Sequence, residues 1–144
     1  MFERPHHQRI ARVLESLNPR LLVTNECLFG GGTAIALRYG EYRESVDIDF
    51  MCSNENGFRA LRRLLDARKD LAPIQQEGSA LWPLARKVRA DEYGIRTMAL
   101  VDGQSIKFEI VREGRIEFEK PGRADVICGI STLTPLDMAA SKML

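Results

Sequence analysis

Residues 28–50 read LFGGGTAIALRYGEYRESVDIDF, a stretch that opens on three glycines and closes on two aspartates one residue apart. Leu28 and Phe29 give Gly30, Gly31 and Gly32 an apolar entry, and Thr33-Ala34-Ile35-Ala36-Leu37 follows with the residue types of a helix's first turns. The order predicts a strand, a glycine turn and a helix start. Such a turn leaves backbone N–H groups unpaired at the helix N-terminus, and bare glycines let a phosphate approach them. At the other end, Val46-Asp47-Ile48-Asp49-Phe50 alternates with period two. As a strand it presents Asp47 and Asp49 on one face and Val46, Ile48 and Phe50 on the other. Two carboxylates side by side repel. A hard divalent cation such as Mg²⁺ relieves them, and it takes substrate phosphates among its oxygen ligands.

Around this stretch the composition fits one domain spanning residues 1–144. At 44% hydrophobic content the chain can build a single core, and two independent ones are not expected. A net charge of +1 gives no global pull toward nucleic acid or membrane, so such binding would need a local patch. Cys27, Cys52 and Cys128 are odd in number and lack C-x-x-C spacing, which suits buried thiols in a reducing compartment better than disulfides or zinc. There is no run of about 18 apolar residues and no signal-peptide core in MFERPHHQRI, so the expected location is cytoplasmic, with no membrane partner.

Working outward, residues 6–17 place Ile10, Val13, Leu14 and Leu17 at helical spacing, and Asn18-Pro19 ends that helix. His6 and His7 point in different directions on a helix and make a poor metal pair, so they read as a frayed polar terminus. Residues 19–29 fit helix or strand. Beyond Phe50, residues 52–57 read as a loop with an N-cap, and Phe58, Leu61, Leu64 and Leu65 form the apolar face of the next helix. Its arginines read as a solvated face that could guide a polyanion if it lay beside the acids. Residues 71–90, with two prolines and a glycine, read as an irregular connection with at most one short element. Then Ile95–Val101 and Gln104–Val111 flank Asp102-Gly103, the signature of a type I′ hairpin. Counting back from that turn pairs Glu109 with Arg96 and Lys107 with Met98. Glu109 is then either half of a cross-strand ion pair or a third carboxylate beside Asp47 and Asp49.

The tail from Ile130 ends in Thr134-Pro135, an N-cap and first helical position, and a stripe of Leu136, Ala139, Ala140 and Met143. The sequence stops after about two and a half turns of that helix, which reads as cut short before a further helical part.

GGTAIAL followed by Arg43-x-Ser45-x-Asp47-Ile48-Asp49-Phe50 resembles the AbiEii/AbiGii toxin family of nucleotidyltransferases, within the superfamily that includes DNA polymerase β. IKFEIV is similar to that family's third-acid strand, and LTPLDMAASKML to the start of its D-x-x-x-x-K helix, so the resemblance covers about residues 28–144. It implies an α/β (α+β) nucleotidyltransferase fold with a short mixed sheet and helices on one side. It implies that Gly31, Gly32 and Thr33 hold a triphosphate, and that Arg43 and Ser45, also on the nucleotide side, belong to the segment that supports the DxD strand. Asp47, Asp49 and Glu109 would bind Mg²⁺, or Mn²⁺ in its place, and Lys142 would stand near the nucleotide, with Asp137 before it. The expected reaction passes a nucleoside monophosphate from an NTP to a hydroxyl of RNA, tRNA included, or of protein. The expected setting is a type IV toxin–antitoxin or abortive-infection system with a cognate antitoxin. The sequence departs from the family in carrying Gly30 where a larger or basic residue is common, and in lacking the helical region that completes the pocket. The alternative is a binding module of the same fold without catalysis. A DxD glycosyltransferase would need a larger domain, and a PD-(D/E)xK nuclease would need a lysine where Val111 stands.

Overall fold

The computed structural model describes residues 2–115 and 117–142. Five strands, β1 (Cys27–Gly30), β2 (Ile48–Cys52), β3 (Leu84–Ala90), β4 (Gly94–Val101) and β5 (Gln104–Arg112), form one mixed sheet in the order β1-β2-β5-β4-β3. β2 runs parallel to β5, and every other neighbouring pair is antiparallel. The β4–β5 hairpin closes through Asp102 and Gly103 at φ 52° and 77°, the two left-handed residues of a type I′ turn. Its register pairs Arg96 with Glu109 and Met98 with Lys107, as counted from the sequence. Here the α/β expectation with a short mixed sheet is met.

Alternation along the central strands sets the core. Ile48, Phe50 and Cys52 of β2 and Ile106, Phe108 and Ile110 of β5 are buried on one face. Phe29, Phe50 and Phe108 follow one another across β1, β2 and β5 with ring centroids 5.6 Å apart, a spacing at which tilted rings attract. Helices α1 (Pro5–Ser16) and α4 (Glu55–Arg68) close this core with Ile10, Val13 and Leu14 and with Phe58, Leu61 and Leu65. α4 starts where Asn54 Oδ1 accepts from the Gly57 N–H at 2.8 Å, the expected N-cap. Two shorter helices, α2 (Pro19–Thr24) and α3 (Gly31–Arg38), flank β1. A small hairpin, β6 (Val126–Ile127) and β7 (Ile130–Ser131), precedes α5 (Pro135–Lys142). No helix among the described residues is long and apolar enough to cross a membrane.

Several local expectations are corrected. The unsettled segment 19–29 is helix and then strand. Residues 71–90 hold a single 3₁₀ turn and the whole edge strand β3. That strand was hidden because Val88 is its only fully buried residue while Arg86, Lys87 and Arg89 face solvent, and its pairing with β4 is bulged. Val46 does not join the apolar face: β2 begins at Ile48, and Val46 is 53% exposed. Leu64 likewise lies off the buried face of α4. On α5 the expected stripe is rotated, with Leu136 exposed and Asp137 and Met138 buried. The roll is set by Asp137, whose Oδ2 accepts from the Glu119 N–H at 2.7 Å. Met143 of the expected stripe lies outside the described residues. His6 and His7 are not a frayed end, because both sit in α1 and His7 is completely buried.

Candidate active site

Asp49 stands in the middle of a row that crosses the whole sheet. In register, Gly30 of β1 pairs with Asp49 of β2, Asp49 with Glu109 of β5, Glu109 with Arg96 of β4, and Arg96 with Arg89 of β3. Cross-strand neighbours share a face, so the side opposite the apolar core carries two acids followed by two arginines. At the acid end β1 turns through Gly30 into α3. Gly31 holds φ at 75°, a conformation that side chains resist. A β-carbon there would also lie 2.9 Å from Asp49 Oδ2. The glycine is therefore required twice, once by the turn and once by the acid packed over it.

The segment between α3 and β2 completes the site. Gly32, Thr33, Arg43, Ser45, Asp47 and Asp49 line a shallow pocket of about 170 Å³. The Arg43 guanidinium lies over Gly32, on the space a β-carbon would take. Its other partners, the Tyr42 hydroxyl at 3.4 Å and the Glu44 carbonyl at 3.5 Å, are long. Ser45 is buried, and its Oγ has no hydrogen-bond partner among the described residues. A buried hydroxyl left unpaired is costly, and here it borders the pocket that the glycines and acids line.

Burial, then the neighbouring charges of Asp47 and Glu109, push the Asp49 carboxyl up to about 6, against a smaller pull from Lys107. Glu109 is compensated differently: Arg96 Nε donates to its Oε2 at 2.7 Å, and Lys107 Nζ lies 3.9 Å from Oε1. Both sequence readings of Glu109 thus meet in one place, since the ion pair is formed and the acid is the register neighbour of Asp49. Among the described residues Asp47 and Asp49 have no ion-pair partner, and no three acidic, histidine or cysteine side chains converge on a point that would hold a metal ion. The donor chemistry nevertheless fits a hard divalent cation: oxygen ligands, excess negative charge and one acid held off its ordinary ionisation by burial.

Thr33 is buried in the first turn of α3. Lys142 is exposed in the last turn of α5, and Asp137 is engaged in holding Glu119. Sequence reasoning missed Arg89, which only the pairing of β3 aligns with Arg96. It also missed His7 and Glu41, which meet by a hydrogen bond of 2.8 Å across 34 residues; no local pattern signals such a pair.

A family model described as nucleotidyl transferase AbiEii toxin, type IV toxin–antitoxin system, matches residues 12–144. No curated protein matches the chain. Among solved structures, JHP933 from Helicobacter pylori superposes with a TM-score of 0.54 at 19% identity over 99% of this chain and 58% of its own. A second H. pylori structure, described as a nucleotidyltransferase by provisional assignment, gives 0.53 at 20% identity over 96% of this chain and 56% of its own. Likeness at this identity speaks for the fold. The chain spans little more than half the length of either protein.

Proposed function

The chain belongs to the AbiEii family of nucleotidyl transferase toxins of type IV toxin–antitoxin systems, and from that premise we propose that it transfers a nucleoside monophosphate from an NTP to a hydroxyl of RNA. We assign it the role of a cytoplasmic toxin restrained by a cognate antitoxin. The observation that carries the reaction is the row Gly30–Asp49–Glu109, which sets the glycine turn against two acids on neighbouring strands. The remainder of that row favours RNA over a protein acceptor. Arg96 and Arg89 continue it away from the acids, and Arg86, Lys87, Arg89 and Lys69 line a groove of about 460 Å³ at the sheet edge. A track of cations leading from the acids suits a phosphate backbone.

In this reading the N–H groups of Gly31 and Gly32, in the first turn of α3, would hold phosphate oxygens, and Arg43 would neutralise charge from above them. Ser45 Oγ supplies a further hydrogen bond. Asp47, Asp49 and Glu109 would hold Mg²⁺, or Mn²⁺ in its place, whose charge stabilises the phosphoryl oxygens when bound. The acceptor oxygen bonds to the α-phosphorus as the bond to the bridging oxygen breaks and pyrophosphate leaves. The hydroxyl proton passes to a carboxylate, for which Glu109 is placed on the adjacent strand. Lys142 is given to the nucleotide on the family resemblance alone.

The test is transfer from each α-labelled NTP to total cellular RNA and to protein, with and without Mg²⁺, for the wild type and Asp49→Asn. Label on RNA that needs Mg²⁺ and is lost in the variant supports the proposal. Label on protein replaces the acceptor, nucleotide binding without transfer identifies a binding module, and equal transfer by the variant removes the acid site.

A further inference from the structure

The loop that carries Arg43, Ser45 and Asp47 has little regular structure of its own and is clasped at both ends by residues 3–7. At the near end the Glu41 carboxylate accepts from the backbone N–H of Glu3 at 2.9 Å and of Arg4 at 3.1 Å. The Arg4 guanidinium donates back to the Glu41 carbonyl at 3.2 and 3.1 Å. At the far end His6 Nε2 lies 3.2 Å from the Val46 carbonyl. His7 spans the two. Its Nδ1 is 2.8 Å from Glu41 Oε1, and its Nε2 is 2.9 Å from the Ser45 backbone N–H.

The chemistry of these partners fixes the protons. A backbone amide only donates, so His7 Nε2 is the acceptor and Nδ1 carries the hydrogen that Glu41 receives. A carbonyl only accepts, so His6 carries its hydrogen on Nε2. The loop thus fixes one ring hydrogen on each of two adjacent histidines, on Nδ1 of His7 and on Nε2 of His6. Bulk water does not reach the His7–Ser45 contact: His7 is 0% accessible, and Ser45 beside it is 4% accessible. Loss of the imidazole would leave the Ser45 N–H unpaired inside the protein, next to a hydroxyl that is already unpaired.

We infer that His7 is a positioning residue for the nucleotide, acting through Ser45 to hold the Arg43–Asp47 loop in the conformation that forms the pocket. The inference rests on the reaction proposed above. It adds to that reaction a residue that precedes the matched region 12–144, on a helix whose apolar face closes the core.

The experiment compares wild type, His7→Leu, His7→Gln and Ile10→Val, the last a core substitution on the same helix. Amide hydrogen exchange at Ser45 and calorimetric affinity for Mg²⁺–NTP are read at a temperature where every variant is folded. His7→Leu is expected to speed Ser45 exchange and weaken nucleotide affinity about tenfold, the worth of one buried hydrogen bond. His7→Gln, which keeps an acceptor for the Ser45 N–H, is expected to recover part of both. Ile10→Val is expected to change neither. Unchanged Ser45 exchange in His7→Leu overturns the clasp. Faster exchange with wild-type affinity overturns the positioning role, as does an equal affinity loss in Ile10→Val. A wild type that binds no nucleotide overturns the proposed reaction instead, and Ser45 exchange then still decides the clasp.

Discussion

Asp49 occupies the space beside Gly31 so closely that a β-carbon on residue 31 would fall 2.9 Å from its Oδ2. The glycine turn and the acid are thus one unit, and the two neighbouring glycines separate its parts. Gly31→Ala must place a side chain at φ 75° against the carboxylate, and it is expected to cost about 2 kcal/mol of stability and abolish nucleotide binding. Gly32→Ala meets only the flexible Arg43 guanidinium, at a helical position where alanine is favoured over glycine by up to about 1 kcal/mol. Its melting temperature should hold or rise while nucleotide affinity falls. Thermal unfolding and calorimetry on both variants check the contrast.

The raised carboxyl of Asp49 predicts a stability change of definite sign. Between its ordinary 3.8 and about 6 the folded protein keeps a proton that the unfolded chain gives up. Stability therefore falls as pH rises through that window, and the full penalty stands above pH 6. Asp49→Asn removes the penalty. With the group partly exposed and screened, the expected gain at pH 7.5 is about 1 kcal/mol, or roughly 3 °C in melting temperature. It should shrink as pH falls from 6 and vanish below about pH 3, where the wild-type acid is protonated in both states. The same variant should lose metal-dependent transfer. Melting curves at the two pH values check the sign, and a variant less stable than wild type at pH 7.5 would contradict it.

That proton also competes with any cation. Mg²⁺ binding near pH 6 is expected to displace about half a proton from Asp49, rising toward one at lower pH, and hence to weaken as pH falls below 6. Calorimetry in two buffers of different ionisation enthalpy measures the release directly. Asp49→Asn should abolish it.

Much of this site could be read from the chain, and the rest was hidden for a physical reason. Asp49 and the glycines announce themselves because period-two alternation and a glycine run are local signals. Glu109 and Arg96 could be paired because a two-residue turn leaves only one register. Arg89 could not, since β3 is an edge strand with one buried residue and a bulged pairing, and its charges look like any solvated surface. His7 was misread for a related reason: its burial depends on Glu41 and Ser45 arriving from a loop more than 30 residues away.

Glu109 makes an exposed-side ion pair with Arg96, and pairs of that kind contribute at most about 1 kcal/mol. Its charge also raises Asp49, so its removal relieves one repulsion while losing one attraction. Glu109→Gln should therefore shift stability by less than about 1 kcal/mol in either direction. If the acid takes the acceptor proton, single-turnover transfer at saturating NTP should fall at least about 100-fold. A wild-type rate in this variant would leave Glu109 as an ion pair only.

Arg89 and Arg96 face each other across β3 and β4, and like charges directly opposite destabilise a sheet. Arg96 is balanced by Glu109 at 2.7 Å and Asp91 at 3.5 Å, whereas Arg86, Lys87 and Arg89 have no ion-pair partner among the described residues. A polyanion laid along this row would settle the excess charge at the end remote from the acids. Replacement of Arg86 and Arg89 by glutamine should weaken RNA binding at low salt. It should also reduce the slope of log affinity against log salt by about 0.7 for each single-strand phosphate that the variant no longer neutralises. NTP binding should not change, because the glycine turn and Asp49 lie at the other end of the row. Fluorescence titration of a labelled RNA at several salt concentrations, beside calorimetry with NTP, separates the two effects. An unaltered salt slope would move the acceptor off this face of the sheet.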